Sequence, residues 1–197
     1  MKLVLASKNQ HKLIELQNIL EELGLEVVLE SDVGVDVDVE ETGETFEENS
    51  LLKAQAVMEA SGMAAIADDS GLVVDALDGA PGVYSARYGD LDSDEARTQF
   101  LLENMKNVPD DQRTARFVSV VTCVLPDGRQ VSARGTVEGI ITYAPSGENG
   151  FGYDPVFYVP QLGRTFAEAS PEEKNAISHR GEALRIFCQK WKEAGIC

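Results

Sequence analysis

The stretch from residue 3 to residue 31 constrains the fold more than any other part of the sequence, because it joins two strands through an amphipathic helix. Apolar residues predict a strand at 2–6, and a polar loop separates this strand from the helix. The helix is predicted at 12–23, where leucines recur on one stripe, and Gly24 ends it. A second strand is predicted at 25–31.

The rest of the chain adds helices and two long central strands. Further helices are predicted at about 45–60, at 93–108 and from residue 170 onward, and further strands at 64–68, 72–77, 115–125, 129–142 and 155–160. The two long strands are joined at "PDG", a strong hairpin signal. The last helix begins with a capping box at Ser170–Glu173. This pattern predicts an α/β fold with a mixed sheet in one domain, 1–197.

The net charge of the protein limits the ligands that its surface attracts. The chain has 17 Lys and Arg against 34 Asp and Glu, which gives a net charge of −17. Most of this surface repels a polyanion, so broad nucleic-acid binding is not expected. A small phosphorylated ligand is still compatible with cations that gather at one place.

Membrane and extracellular classes also lack support in the sequence. No apolar run approaches the roughly 20 residues of a membrane span, and the opening "MKLVLA" is too short for a signal peptide. The cysteines at 123, 188 and 197 fit neither a metal site nor a disulfide framework. We therefore expect a cytoplasmic protein without a membrane partner.

The loop between the first strand and the first helix is a candidate anion site. Backbone amides at a helix N-terminus bind anions, and Lys8 and Lys12 stand beside them. The loop has neither the P-loop spacing nor the Rossmann fingerprint. An ordinary polar connection between a strand and a helix is an equally good interpretation of these residues alone.

Two adjacent carboxylates, Asp68 and Asp69, follow the apolar stretch "AIA" and precede Ser70-Gly71, which are predicted to turn the chain into the next strand. Such carboxylates are costly unless they are solvated, paired or bound to a metal, and Mg²⁺ sites use one or two of them. A polar turn explains the same residues. The apolar flanks favour a functional interpretation.

Lys53 is the only Lys or Arg between residues 13 and 86, a segment that contains 18 Asp and Glu. This cation either relieves repulsion on a solvated helix face or binds a phosphate. Glu40 and Glu41 lie just upstream and are the other carboxylates able to meet Asp68 and Asp69. On their own, they are more simply interpreted as exposed.

The segment "SGENGFGYDP" places Phe151 and Tyr153 among glycines, which suits stacking on a base, although core packing is the commoner role of a Phe. Downstream, Lys174, His179 and Arg180 gather three potential cations in "EEKNAISHRG". A basic helix end explains them equally well. Together these segments supply what a nucleoside triphosphate hydrolase needs: a phosphate loop, a metal centre and a base platform.

Six motifs, spaced in order from residue 3 to 190, resemble the inosine triphosphate pyrophosphatase family, the dITP/XTP diphosphatases. They are "ASKNQHK", "EETGETFEENSLLKA", "AIADDSGL", "APGVYSARY", "GFGYDPVF" and "KNAISHRGEAL". This chain departs from the family in two places. It has Ser7-Lys8-Asn9 where bacterial members often carry Thr-Gly-Asn, and Tyr153 where some members have Trp.

The resemblance implies a long mixed sheet flanked by helices, in two lobes with a central substrate cleft, and a homodimer. It also implies Mg²⁺-dependent hydrolysis of deaminated purine nucleoside triphosphates (ITP, dITP and XTP) between the α- and β-phosphates, with water attacking the α-phosphate. The products are the nucleoside monophosphate and pyrophosphate.

The same resemblance assigns roles to individual residues. Asp69 and Lys53 are the catalytic pair: Asp69 activates the attacking water and Lys53 steadies the phosphates. The metal ligands are Glu40 and Asp69, with Asp68 as a further candidate. The substrate-binding residues are Ser7, Lys8, Asn9, Gln10, His11, Lys12, Ser70, Phe151, Gly152, Tyr153, Asp154, Lys174, His179 and Arg180. Arg180 and Lys174 are donor-only side chains, which would suit O6 of hypoxanthine or xanthine and clash with the amino group of adenine.

Three other classes of protein compete with this family as interpretations of the sequence. Asp36-Val37-Asp38 prompts a haloacid-dehalogenase-like phosphatase, but that chemistry needs an apolar strand before the first Asp, and "ESDVG" stands there. The septum-formation-type nucleotide pyrophosphatases open with a similar "LAS" loop but lack "GFGYDP" and "SHRG". A nucleotide-binding regulatory module without catalysis is opposed by the retention of Lys53, Asp68 and Asp69.

Overall fold

The computed structural model describes residues 1–196, except for the side chain of His11. These residues form two compact units. Unit 1 contains Met1–Asp69, Ser119–Gly135 and the chain from Arg180 onward, and unit 2 contains Ser70–Val118 and Thr136–His179. Within the described residues, no helix combines the length and the apolar character needed to cross a membrane.

The strands of the described chain form one mixed sheet. They are β1 (Lys2–Leu5), β2 (Glu26–Leu29), β3 (Ala65–Val74), β4 (Thr114–Val124), β5 (Gln130–Ile141), β6 (Phe157–Val159) and β7 (Arg164–Thr165). Their order is β2-β1-β3-β4-β5-β6-β7. β1 is parallel to β2 and to β3, whereas β6 is antiparallel to β5 and to β7. The predicted α/β class with a mixed sheet is thereby confirmed.

The α-helices are α1 (Gln10–Leu20), α2 (Phe46–Ser61), α3 (Asp94–Asn104), α4 (Pro171–Ile177) and α5 (His179–Glu193). Short 3₁₀ segments lie at Glu21–Leu23, Glu30–Val33, Asp75–Leu77, Gly82–Asp90, Asp110–Gln112 and Asp154–Val156. Gly24 follows the first helical region with φ 68°, a conformation that glycine adopts at little cost, so the predicted stop is confirmed. The capping box at Ser170 and Glu173 also forms. The predicted tail helix divides at Ser178, whose backbone is extended.

In unit 1, alternation along the strands separates two apolar surfaces. Leu3, Leu5 and Ile66 pack with α1 and α5 in the larger core, together with Leu16 and Phe187. Val4, Ala65 and Ala67 face the other way, where Val57 and Ala54 of α2 cover them. Because side chains alternate along a strand, odd and even positions of β3 reach different helices.

β3 corrects one prediction about this region. Two strands separated by a turn at Ser70-Gly71 were expected, but β3 runs without interruption from Ala65 to Val74. Asp68 and Asp69 therefore lie inside a strand and not at its end. Pairing within the sheet overrides the turn preference of the sequence Asp-Ser-Gly, because propensity is weak beside tertiary contacts.

Unit 2 has its own apolar core. Phe157, Phe166 and Leu101 are fully buried in it, and the ring centroids of Phe117 and Phe157 lie 4.5 Å apart.

In unit 1, β4 and β5 are joined by a tight turn. Gly128 donates its N–H to the carbonyl of Leu125 there, as the "PDG" signal predicts.

Candidate active site

The carbonyl of Asp68 is where two lysines of unit 1 meet. Along the edge of β3 that faces β1, the carbonyls of Ala64 and Ile66 accept from Val4 and Ala6. β1 has ended by the next carbonyl of that edge, which belongs to Asp68. This oxygen accepts instead from Lys12 Nζ at 3.3 Å and Lys53 Nζ at 3.2 Å. Two ammonium groups are thus held beside each other at the end of β1.

The loop after β1 leads into α1 through local hydrogen bonds. Asn9 Oδ1 accepts from the backbone N–H of Lys12 at 3.3 Å, which caps the helix, and Ser7 Oγ accepts from Asn9 N–H at 3.1 Å. Lys8 is exposed and pairs with Asp36 at 2.5 Å. Gln10 is exposed in the first turn of α1, and the side chain of His11 lies outside the described part of the structure. The predicted phosphate loop is therefore an ordered connection in unit 1.

Asp68 points towards α1 and α5 and is enclosed by donors. Its Oδ1 accepts from Ser119 Oγ at 2.5 Å, and its Oδ2 lies 2.8 Å from Lys12 Nζ and 3.2 Å from Arg180 Nη2. The side chain is fully buried. Burial alone would raise the pKa of Asp68, but Arg180 and then Lys12 hold this pKa well below its usual value. Asp68 is thus an ionised carboxylate with both oxygens engaged.

The guanidinium of Arg180 donates hydrogen bonds to two carboxylates. Its Nε and Nη2 donate to Asp68, and its Nη1 donates to Glu15 at 2.7 Å. Burial opposes its charge, yet these two carboxylates raise the pKa of Arg180. The prediction that Arg180 recognises the base edge stays a prediction, and the described contacts give it a different set of partners.

Asp69 points to the opposite face of β3, towards α2. Its Oδ1 lies 2.8 Å from Lys53 Nζ, whereas its buried Oδ2 has no hydrogen-bond partner among the described residues. Burial raises the pKa of Asp69, and the Lys53 ammonium offsets this effect only in part. A buried carboxylate oxygen without a donor is costly unless a cation or a water occupies the position beside it.

Lys53 joins Asp69 to the acidic loop before α2. Its Nζ lies 2.8 Å from Glu41 Oε1 as well as from Asp69. Burial would lower the pKa of Lys53, but Asp69 and Glu41 more than compensate and raise it. Lys53 is therefore a charged ammonium in partly buried surroundings. Glu40, the predicted metal ligand, is exposed next to Glu41.

Asn49 fastens this acidic loop to α2 one helical turn before Lys53. It is fully buried, and its Oδ1 accepts from the N–H of Gly43 at 2.8 Å. A Cβ added at Gly43 would lie 2.7 Å from that oxygen, so only glycine permits the approach. The positions of Glu40 and Glu41 thus depend on a buried contact.

The described residues of this region supply only part of the ligands that a divalent metal ion needs. Among the described residues, no group of three or more His, Cys, Asp and Glu side chains is arranged to hold a metal. Asp69 fits a partial site, because its Oδ2 is an anionic oxygen that lacks a donor among the described residues. Asp68 does not fit, because its two oxygens already accept from Ser119, Lys12 and Arg180. An ion such as Mg²⁺ commonly takes one or two carboxylates and completes its shell with water and substrate phosphates.

Unit 2 gathers the predicted base-binding residues around Phe151. This ring is 58% exposed, and the Lys174 ammonium lies 4.6 Å from its centroid. Asp154 is buried and accepts both from Lys174 Nζ at 2.5 Å and from the N–H of Phe151 at 3.0 Å. An exposed aromatic face held by a buried carboxylate suits stacking on a planar ligand.

The remaining predicted residues of unit 2 lie near this ring or in the core. Tyr153 is buried and donates its hydroxyl to the carbonyl of Ser85 at 2.7 Å. Gly152 turns the chain between the two aromatics with φ 61°. His179 is buried against Phe117, with ring centroids 5.0 Å apart. Ser70 is half-buried in β3, next to Asp69.

A family model described as the Ham1 family matches residues 3–190, nearly the whole chain and all the residues just described. The chain belongs to the Ham1 family. The relatives of this Ham1 chain include a protein of Shigella flexneri named dITP/XTP pyrophosphatase, which is 52% identical over 189 residues, covering 94% of this chain and 95% of that protein. A protein of Thermus thermophilus with the same name is 50% identical over 193 residues, covering 98% and 93%.

Solved structures agree with the family assignment. The Ham1 protein of Staphylococcus aureus superposes with a TM-score of 0.89 at 45% identity, covering 99% of this Ham1 chain and 100% of that chain. A Ham1 protein from Coxiella burnetii gives a TM-score of 0.91 at 43% identity, covering 98% and 99%. The resemblance read from the six motifs is therefore confirmed at the level of the family.

Several residues that shape the site of this Ham1 chain were not found from the sequence. Ser119 and Glu15 complete the contacts of Asp68 and Arg180, and Asn49 holds the acidic loop. Ser119 did give a signal, since it is a polar residue inside the apolar run "FVSVV" of β4. Glu15 gave none, because acidic residues are common on exposed helix faces.

The two neighbouring carboxylates should respond differently to the same substitution. Asp68→Asn leaves Arg180 and Lys12 with an uncharged partner in a buried site, so we expect a loss of about 3–5 kcal/mol in the free energy of unfolding. Asp69→Asn removes a carboxylate whose Oδ2 has no partner among the described residues. We therefore expect the free energy of unfolding to change by no more than about 1 kcal/mol. Urea denaturation of both variants measures the difference, and equal losses would contradict the separation of roles.

Proposed function

We propose that this protein hydrolyses deaminated purine nucleoside triphosphates, ITP, dITP and XTP, to the monophosphate and pyrophosphate in a Mg²⁺-dependent reaction. The observation that carries this proposal is the convergence of Lys12 and Lys53 on the Asp68 carbonyl, beside the buried carboxylate of Asp69. Two ammonium groups can neutralise phosphate oxygens and a neighbouring carboxylate can accept a proton from water, and both actions assist hydrolysis of a phosphoanhydride bond. The names of the relatives support the choice of substrate.

The residues of the first loop and α2 would bind the triphosphate. Lys12 and Lys53 would neutralise phosphate oxygens, and the N-terminal amides of α1, together with Ser7 and Lys8, would donate to them. Lys8 would exchange Asp36 for a phosphate at little cost, because both partners of this pair are exposed. Asn9 would act through its cap, which holds the Lys12 backbone in place.

Asp69 would have two tasks. Its Oδ2 would hold the metal ion, with Glu40 or its neighbour Glu41 as the second carboxylate. When bound, Mg²⁺ would neutralise phosphate charge and favour departure of pyrophosphate. As a buried carboxylate beside the lysine pair, Asp69 would also accept the proton of the attacking water. Asp68 would act indirectly, by fixing Lys12 and Arg180.

The residues of unit 2 would bind the base. The exposed face of Phe151 would stack on the purine, with Gly152, Tyr153 and Asp154 maintaining its position. Lys174, His179 and Ser70 remain proposed substrate contacts, on the resemblance of their motifs. For Arg180, the bonds to Asp68 and Glu15 favour a supporting task over recognition of the base edge.

The competing classes receive less support. Membership of the Ham1 family over residues 3–190 favours this reaction over that of the septum-formation-type pyrophosphatases. The raised pKa of Asp69 favours an enzyme over a regulatory module that binds without catalysis. We also propose a cytoplasmic location, because the proposed substrates are soluble nucleotides.

The reaction itself is the first test. Purified protein incubated with ITP and Mg²⁺ should release inosine monophosphate and pyrophosphate in equal amounts, and a chelator should stop the release, since phosphate charge would no longer be neutralised. Anion-exchange chromatography resolves the products. Orthophosphate together with inosine diphosphate would contradict cleavage between the α- and β-phosphates. Binding of ITP without any product would favour the regulatory module.

Asp69→Asn tests the proposed base. The change keeps the shape but removes the proton acceptor, and loss of a positioned base typically costs about 10²–10⁴-fold in rate. We expect a fall of this size in kcat for ITP, measured as pyrophosphate release by protein shown to be folded by circular dichroism. Asp127→Asn, at the exposed turn between β4 and β5, is the control and should keep full activity. Turnover by Asp69→Asn within a few-fold of the control would refute the assignment.

We further propose a homodimer, which rests on the resemblance alone. Sedimentation equilibrium at micromolar concentration should give about twice the chain mass of 21.4 kDa. A single species at the chain mass would refute this proposal and would leave the proposed reaction unaffected.

A further inference from the structure

Helix α3 binds Gly152, the residue between Phe151 and Tyr153. Asp94 Oδ2 accepts from the N–H of Gly152 at 2.8 Å, and Thr98 Oγ1 donates to the carbonyl of Gly152 at 3.3 Å. Both polar groups of one residue are therefore bound by one helix. Gly152 has φ 61°, a conformation that glycine adopts at little cost, and the Phe151 ring before it is exposed.

The sequence of α3 explains how it reaches Gly152. Ser93 caps the helix by accepting from Ala96 N–H, which fixes the position of the first turn. Asp94 and Thr98 are four residues apart and so share one helix face. Arg97 lies 2.5 Å from Asp94 Oδ1, which leaves Oδ2 for Gly152.

Asp94 is ionised in this arrangement. Partial burial would raise its pKa, but the bonds from Gly152 N–H and from Arg97 lower it below the usual value. A hydrogen bond to a charged acceptor is stronger than one between neutral groups. Thr98 is buried, and its bond to the Gly152 carbonyl is partly buried.

A cavity adjoins this contact. It has a volume of about 300 Å³, and its lining includes Asp94, Thr98, Asn149, Phe151 and Gly152. On this side the loop is therefore bordered by space and not by a packed core. Because packing does not hold the loop on this side, the two hydrogen bonds from α3 add to the bond between Asp154 and the Phe151 N–H in fixing where Phe151 lies.

We propose that Asp94 and Thr98 are positioning residues for the nucleobase, which hold Gly152 so that Phe151 presents its ring to the purine. This inference rests on the proposed function. It adds two residues of α3 to those that determine the affinity of the protein for the base. Without the two bonds the loop can move into the adjoining cavity, and the stacking surface moves with it. Groups that handle the phosphates belong to other elements and are left in place.

The inference predicts a selective loss of binding. In Asp94→Ala the KM for ITP should rise about tenfold, and in Thr98→Val about threefold, in line with one charged and one neutral hydrogen bond. kcat should stay within about twofold, because stacking on the base contributes to binding in the ground state and the transition state alike. The inhibition constant of inosine monophosphate should rise by the same factors, and that of pyrophosphate, which lacks a base, should not change.

Conservative and matched variants separate positioning from general damage. Asp94→Asn keeps an acceptor for Gly152 and Thr98→Ser keeps a donor, so both should restore most of the affinity. Glu95→Ala is the control, because it removes the same charge from the same turn and lines the same cavity. Its KM should match that of the unaltered protein. If Asp94→Ala does not fold, Thr98→Val provides the same comparison.

The outcomes distinguish this inference from the proposed function. If the unaltered protein releases no pyrophosphate from ITP, both fail. If it does, and Asp94→Ala and Thr98→Val keep the KM of Glu95→Ala, the inference alone is overturned. Equal rises in the inhibition constants of inosine monophosphate and pyrophosphate would also overturn it, because such damage is not confined to the base. A rise for inosine monophosphate alone, reversed in Asp94→Asn, supports it.

Discussion

The buried carboxylate of Asp68 accepts from three parts of the chain that are distant in sequence, namely Lys12 in α1, Ser119 in β4 and Arg180 in α5. A charge without solvent is tolerated only when its oxygens are satisfied, so these three elements must pack around β3 together. The same ion pairs fix the direction of the Lys12 side chain, and the Asp68 carbonyl fixes Lys12 and Lys53. The positions of Lys12 and Arg180 therefore depend on one buried anion, and Lys53 shares the carbonyl of the same residue.

Strand geometry gives the neighbouring carboxylates different surroundings. Successive residues of β3 point to opposite faces, so Asp68 meets α1 and α5 while Asp69 meets α2. One carboxylate has a pKa well below its usual value because cations surround it, and the other has a raised pKa because its burial is only partly offset by Lys53. Two adjacent Asp residues on one strand thus have pKa values shifted in opposite directions.

Local signals in the sequence were sufficient for much of the fold. Gly24 after the first helix, the capping box at Ser170 and the turn at "PDG" each depend on neighbouring residues and were predicted correctly. The continuity of β3 was not, because the pairing that straightens Asp69-Ser70-Gly71 comes from strands elsewhere in the chain. The partners of Arg180 were missed for the same reason, since Asp68 is 112 residues away. The family motifs identified the candidate residues, but only three-dimensional contacts separate Asp68 from Asp69.

The charges of the ion pairs that contain Asp68, Asp69 and their direct partners do not balance. Glu15, Glu41, Asp68 and Asp69 supply four negative charges, and Lys12, Lys53 and Arg180 supply three positive ones, so the group as a whole is anionic. Its lysines attract phosphate at short range, yet a polyphosphate that arrives without a counter-ion adds like charge in a partly buried setting, where screening is weak. If a polyphosphate bound beside these residues, the charges would balance only if a cation bound with it. A polyphosphate paired with its own cation would add less repulsion than a bare one.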